Sequence, residues 1–255
     1  MDLHLAGKRA LVTGGSKGIG RAIARQLALE GVDVVIAARD RTALDEAAAA
    51  LAAETGRRIC GLTVDTHDDA SVKTLIAGTV EALGGLDILV NAAAMPGGQG
   101  PPPKLAEVTG ELFWDDVDVK VMGYLRTCRE AAPHMIAAGW GRIINISGLA
   151  ARQTGSIIGS VRNVAVAALT KNLADELGPK GINVTVVHPG LTRTEKTAPR
   201  VAALAAASGV SIEEMERRMA ANVTIGRIID AAEVADVVAF LASPRSAAIN
   251  GDAVA

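Results

Sequence analysis

The chain is poor in rings, in cysteine and in charge of one sign. Only 2% of its 255 residues are aromatic, two Trp, two Phe and a single Tyr at position 124. Chemistry that needs a tyrosine therefore has one candidate, and the core has to be filled by aliphatic side chains, which the 49% hydrophobic content supplies. Cys60 and Cys128 are far apart, form no CxxC pair and sit in apolar stretches, where a thiol behaves as a small hydrophobe. Reduced cysteines and a cytoplasmic address are expected. The 26 Lys and Arg against 28 Asp and Glu leave a net charge of −2, so no broad cationic surface invites nucleic acid or anionic lipid. No stretch approaches the ~20 apolar residues of a membrane span. The start, Met1 to Lys8, carries Asp2 and His4 and lacks a signal peptide's basic and apolar regions. His4, His67, His134 and His188 are scattered without ligand spacing, and no metal site is expected.

What is present is a steady alternation of short apolar runs with longer amphipathic segments. Strands are predicted at 9–13, 32–37, 58–64, 86–91, 141–147 and 183–188, and helices at 19–30, 42–55, 71–83, 112–138 and 159–177. Strands that are apolar on both faces, each followed by a helix, predict an α/β fold: a doubly wound, mostly parallel sheet covered by helices on both sides. A chain of this length buries roughly three quarters of the surface it exposes when unfolded, and one domain over residues 1–255 is expected.

Two interruptions fall at the carboxyl ends of strands, where parallel sheets bind ligands. Residues 95–104 (MPGGQGPPPK) hold too much Gly and Pro for a helix. Residues 194–226 contain Ser211 with Glu214 three positions on, a capping box that opens a helix at 212–221; this insertion is expected to act as a substrate lid.

Directly after the first strand comes Thr13-Gly14-Gly15-Ser16-Lys17-Gly18-Ile19-Gly20, followed by a helix. Glycines in that place permit a tight turn and bring backbone N–H groups to a pyrophosphate at the positive helix end. The strand before it and the helix after it make the loop informative.

This TGxxxGIG segment is similar to that of the short-chain dehydrogenase/reductase family, single-domain Rossmann enzymes, and the resemblance extends over nearly the whole chain. Asp65 stands where the family has an acidic residue near the adenine. Asn91-Ala92-Ala93-Ala94 resembles the NNAG segment, and residues 141–147, GRIINIS, the fifth strand. Pro189-Gly190 with Thr194 resembles the PGxxxT on the nicotinamide side, and residues 226–235 the LGRxxxxEVA stretch of the final helix. The resemblance implies a dinucleotide held by Gly14, Ser16, Lys17, Gly18, Ile19, Gly20, Arg39, Asp65, Asn91, Pro189, Gly190 and Thr194. It also implies a homodimer or homotetramer built through the long central helices and the last strand.

Charge argues the choice of dinucleotide. An NAD site places an acid about 20 residues beyond the glycines, whereas NADP needs a cation for its 2′-phosphate. Here the second strand ends in Ala37-Ala38-Arg39, with Ala38 at the acid's place and Lys17 in the glycine loop. NADP(H) is expected over NAD(H); Asp40, beside Arg39, is the residue that speaks for NAD.

The family's catalytic groups are a Tyr and a Lys in YxxxK, a Ser after the fifth strand and an Asn on the preceding long helix. Counting back from Ala168 to Leu177, which resembles the segment that follows YxxxK, puts Gly159 at the Tyr position and Asn163 at the Lys position. Gly148 takes the Ser position, with Ser147 one residue earlier, and Lys120 replaces the Asn. Lysine and asparagine are thus exchanged between two helices. The only tyrosine, Tyr124, lies one helical turn after Lys120. Lys120, Ser147, Asn163 and His188 are the catalytic candidates, with Asn145, Gln153 and Arg162 as further polar neighbours. The sequence therefore predicts an NADP(H)-binding oxidoreductase for a small carbonyl or conjugated enoyl compound, with a non-standard proton-delivery site. Its alternative is a catalytically silent homologue acting as a sensor or oligomer partner.

Overall fold

A computed structural model describes residues 1–94, 102–221, 223 and 225–255. In chain order, β1 (Arg9–Thr13) leads to α1 (Gly18–Leu29), β2 (Asp33–Ala38), α2 (Arg41–Thr55), β3 (Ile59–Thr63), α3 (Asp69–Leu83) and β4 (Ile88–Asn91). Next come α4 (Gly110–Val117), a π turn over Asp118–Met122, α5 (Gly123–Ala138), β5 (Gly141–Ile146), α6 (Ile157–Leu177) and β6 (Ile182–Val187). The chain closes with β7 (Thr192–Arg193), α7 (Thr197–Ser208), α8 (Ile212–Ala220), β8 (Ile229–Asp230), α9 (Ala231–Ala242) and β9 (Ala253–Val254).

Seven strands form one parallel sheet in the order β3-β2-β1-β4-β5-β6-β9. The order reverses between β1 and β4, so their carboxyl ends diverge and open a crevice there. Side chains alternate between two cores. Val34, Ile36, Ile88, Val90, Ile144 and Ile146 face the side of α1 and α9. Val35, Leu89, Ile143 and Val184 face the side of α3 and α5. Burial on both faces is why these strands read as unbroken apolar runs. Alanines do the work that rings do elsewhere: α1 and α9 pack side by side, with Ala24, Ala28, Ala235 and Ala239 in the shared core.

Polar caps set the helix starts. Asp40 Oδ1 accepts from Ala43 N at 3.1 Å, Thr109 Oγ1 from Leu112 N at 3.2 Å and Ser211 Oγ from Glu214 N at 3.2 Å. Each such cap contributes about 1 kcal/mol.

Three boundaries differ from the sequence reading. The expected helix at 112–138 is two helices joined by the π turn, a wider coil that inserts one residue into the helical register. The 194–226 insertion holds two helices instead of one. Alanines in α7 give too faint a periodicity to reveal it, yet Val201 and Ala205 bury against Met215 of α8 in a small core of their own. The segment 226–235 begins irregularly, and α9 starts only at Ala231, after Asp230, whose backbone N–H donates to Glu233 Oε2 at 2.8 Å. The pairing of β7 with β8 ties the two ends of the insertion together. Of the Gly- and Pro-rich loop at 95–104, residues 95–101 lie outside the described residues. Among the described residues no helix is long and apolar enough to cross a membrane, and no group of three or more His, Cys, Asp or Glu could hold a metal. Both cysteines are free, and Cys128 is buried.

Candidate active site

The glycine loop runs from the end of β1 into α1 at the mouth of the crevice. Gly14 has φ +70, and a Cβ there would stand 2.8 Å from the Ala92 carbonyl oxygen, so only glycine lets the loop pass the chain leaving β4. Thr13 locks that approach: its Oγ1 accepts from Ala92 N and Ala93 N, both at 3.2 Å. A Cβ on Gly20 would lie 2.3 Å from the Gly14 carbonyl oxygen, which is the close loop-to-helix contact a pyrophosphate loop requires.

The resulting cleft, about 380 Å³, is lined by Gly14, Ser16, Lys17, Gly18, Arg39, Asp65 and Thr194 of the sequence-predicted residues. Thr66, His67, Glu195 and Lys196 also line it. His67 was missed because a lone histidine carries no motif. Its Nδ1 lies 3.0 Å from Asp65 Oδ1 and its Nε2 3.2 Å from Asp115 Oδ1. Burial works against its charge, but the two carboxylates outweigh it and hold the imidazole above its ordinary pKa. Asp65 is held below the usual carboxylate range, chiefly by the His67 backbone N–H. The cleft fits a dinucleotide. It offers the positive end of α1, the cations Lys17, Arg39 and Lys196, and at Gly18 a backbone N–H that already holds an anion, the Glu195 carboxylate, at 3.1 Å.

Not every predicted cofactor residue reaches this cleft. Ile19 and Gly20 lie within α1, serving its packing. Pro189 and Gly190 stand on the wall of a second cavity of about 410 Å³ with Leu191 and Val237. Asn91 is fully buried, its side chain turned from the cleft into a closed network. Thr127 Oγ1 donates to Asn91 Oδ1 at 2.7 Å, Asn91 Nδ2 to Asn145 Oδ1 at 3.0 Å, and Asn145 Nδ2 to Thr170 Oγ1 at 2.9 Å. This network joins β4 and β5 to α5 and α6, and Asn145 is fully buried within it.

The catalytic candidates do come together, around Ser147. Strand parity turns Ser147 to the same side as Asn145. Lys120 Nζ donates to the Ser147 carbonyl oxygen at 2.9 Å, and Ser147 Oγ donates to the Asn163 carbonyl oxygen at 3.1 Å. The register Ile146↔Val187 makes His188 the neighbour of Ser147 on the next strand. All four are buried. Asn163 Oδ1 and His188 Nδ1 are buried without a hydrogen-bond partner among the described residues, and such atoms are costly unless something else satisfies them. Lys120 has no carboxylate within 4 Å among the described residues. Burial, helped by Arg162 and partly offset by Asp116, lowers its pKa from 10.5 to about 7. Burial, with Arg152 and Lys120, also holds His188 below the usual imidazole range. Arg162 pairs with Asp116 beside the π turn.

Tyr124 is engaged in packing beside this cluster. Its hydroxyl donates to the Ile146 carbonyl oxygen at 2.9 Å, the ring is buried against Val166 and Val186, and burial drives the phenol far above its ordinary pKa. At Gly159, a Cβ would meet Ser156 Oγ at 3.0 Å, so the N-cap of α6 occupies the space at the head of that position.

A family model described as Enoyl-(Acyl carrier protein) reductase matches residues 14–255. The chain is 36% identical over 248 residues to the short-chain reductase protein NovJ of Streptomyces niveus, covering 96% of this chain and 90% of that protein. The structure of L-sorbose reductase from Gluconobacter frateurii, complexed with NADPH and L-sorbose, superposes with a TM-score of 0.92 at 31% identity, covering 100% of this chain and 96% of that one. An actinorhodin polyketide ketoreductase variant with NADPH gives a TM-score of 0.87 at 35% identity, covering 97% and 94%.

Proposed function

The chain belongs to the short-chain dehydrogenase/reductase family, and on that premise we propose that it reduces a small carbonyl or conjugated enoyl compound with NADP(H), with Lys120 as its proton donor. What supports this reading is the buried cluster at Ser147, whose carbonyl oxygen accepts from the Lys120 ammonium and whose hydroxyl donates to the Asn163 backbone carbonyl, with the Asn163 and His188 side chains buried nearby; the reading takes Gly159 and Asn163 to stand at the family's tyrosine and lysine positions.

The N-terminus of α1 receives the pyrophosphate, and Arg39 and Lys17 the 2′-phosphate. The acid that speaks for NAD, Asp40, is engaged in capping α2, which supports NADP(H). Bound there, the cofactor supplies a hydride. The Lys120 ammonium, held by the Ser147 carbonyl oxygen, gives one proton to the substrate oxygen as negative charge develops on it, or to carbon in the enoyl case. The neutral amine that remains suits its buried setting and takes a proton back from water. A pKa of about 7 lets it work in both forms near neutrality. A positioned acid contributes about 10²–10⁴-fold, and holding substrate in contact with the cofactor contributes ~7–11 kcal/mol more. The insertion containing α7 and α8 serves as the lid. The face of α6 bearing Ile157, Val161 and Val164, exposed at helical spacing, supports a homodimer or homotetramer.

The purified protein, given NADPH and a panel of ketones, aldehydes and enoyl compounds, is expected to deplete the nicotinamide absorbance with at least one of them. NADPH binding without depletion by any would move the reading to a silent dinucleotide-binding homologue. Arg39→Ala is expected to weaken NADPH about 10- to 100-fold, from charge-assisted bonds of about 1.5–3 kcal/mol, and to leave NADH affinity unchanged. Equal loss for both cofactors would remove the argument for the 2′-phosphate.

A further inference from the structure

The lid segment delivers its own anion to the place where the cofactor's anion belongs. Glu195 Oε2 accepts from the Gly18 backbone N–H at 3.1 Å, and Gly18 is the first residue of α1. A carboxylate on a helix N-terminus is a favourable pairing, and the same free N–H groups and dipole make that end a pyrophosphate site. Next to it, Thr194 lies against the loop: a Cβ added at Gly18 would be 3.6 Å from Thr194 Cγ2.

We propose that Glu195 is a built-in competitor of the cofactor pyrophosphate, holding the lid on the glycine loop until the dinucleotide displaces it. The inference rests on the dinucleotide reading of the cleft. One N–H cannot serve a carboxylate and a phosphate together, and two anions crowded at one helix end repel each other. Cofactor entry therefore expels Glu195, while Lys17 and Lys196, which line the same cleft, remain to receive the phosphates.

Expulsion is felt beyond the side chain because Glu195 sits in a tight bend between β7 and α7. Thr194 N donates to Thr197 Oγ1 at 2.9 Å, and Thr197 Oγ1 donates to the Thr192 carbonyl oxygen at 3.1 Å. Arg193 Nη1 bonds Glu216 Oε1 of α8 at 2.7 Å. The backbone bearing Glu195 is thus tied to both lid helices. Cofactor occupancy and lid position are then coupled, each opposing or favouring the other through one contact.

Glu195 is exposed, so Glu195→Ala, which removes the acceptor as well as the charge, keeps the fold. In the ligand-free variant the Gly18 amide is expected to exchange faster with solvent than in the parent. By calorimetry the variant is expected to bind both NADPH and inorganic pyrophosphate about two- to fivefold tighter, the range of a surface charge at a helix end. Unchanged or weaker binding of both ligands, with unchanged Gly18 exchange, overturns the proposal. Faster exchange and tighter pyrophosphate in a protein that binds no NADPH would keep the competing contact and remove the dinucleotide reading instead.

Discussion

Asn145 lies on β5 and Ser147 just past its end, two residues on, yet their surroundings are opposite in kind. Around Asn145 the donors and acceptors of four side chains close on one another between β4, β5, α5 and α6. At Ser147 the carbonyl oxygen accepts from Lys120 and the hydroxyl donates to the Asn163 backbone carbonyl, while Asn163 Oδ1 and His188 Nδ1 are buried without partners among the described residues. A closed polar network specifies packing; an open one waits for a ligand or water to complete it. The difference separates polar groups that satisfy one another from polar groups left open, a distinction that identity alone does not make, since asparagine occurs in both.

The largest test of that division is Lys120→Met. If the open cluster is the working one, turnover falls about 10²–10⁴-fold while NADPH affinity measured by calorimetry stays near that of the parent. Undiminished turnover would class Lys120 with the packing residues. The converse is Asn145→Ala, which strands Asn91 Nδ2 and Thr170. It is expected to cost about 1–3 kcal/mol of stability in urea melts, with the per-molecule rate of the folded fraction retained.

Titration sharpens the comparison further. Lys120 gains its proton at about 7 in the folded chain, against the ordinary 10.5. Between those values the unfolded chain binds more protons, so stability is expected to climb as pH rises across that window. The slope this group contributes should vanish in Lys120→Met, as measured by melts at stepped pH. If Lys120 is the proton donor of a reduction, turnover of the parent should fall as pH rises through about 7. A flat profile there would assign the proton to another group. The smallest effect belongs to Tyr124→Phe, which removes one buried bond to Ile146. A stability loss of about 1 kcal/mol with turnover intact would place the only tyrosine with the packing residues; a large loss of turnover would reopen its catalytic role.

The alternation of elements was legible because strands buried on both faces leave continuous Val, Leu and Ile runs that glycine and polar caps punctuate. The cofactor loop was legible for a stronger reason. Its geometry is a backbone property, and glycine is the residue that permits it, as the contacts of Gly14 with Ala92 show. Asn91 shows the limit. Its place in the motif was visible, but the direction of its side chain depends on strand parity and on Thr127, 36 residues away. His67 and Glu195 were invisible, because each owes its position to a bend that only the folded chain brings to the cleft. Helix α7 was hidden by its alanines, whose burial against Met215 is set by α8 and not by local periodicity.

The π turn at Asp118–Met122 gives the Ser147 cluster an unusual vulnerability. Helical side chains advance about 100° per residue, so deleting one residue within that turn would let the helix rewind to ordinary geometry and swing the preceding stretch around its axis. Asp116 would then leave Arg162 with no amino acid at the cluster replaced. The spacing of this segment, counted in residues, is thus as much a part of the site as its side chains. Length variants there would retune the chemistry in a way that comparing residue identities column by column would not register.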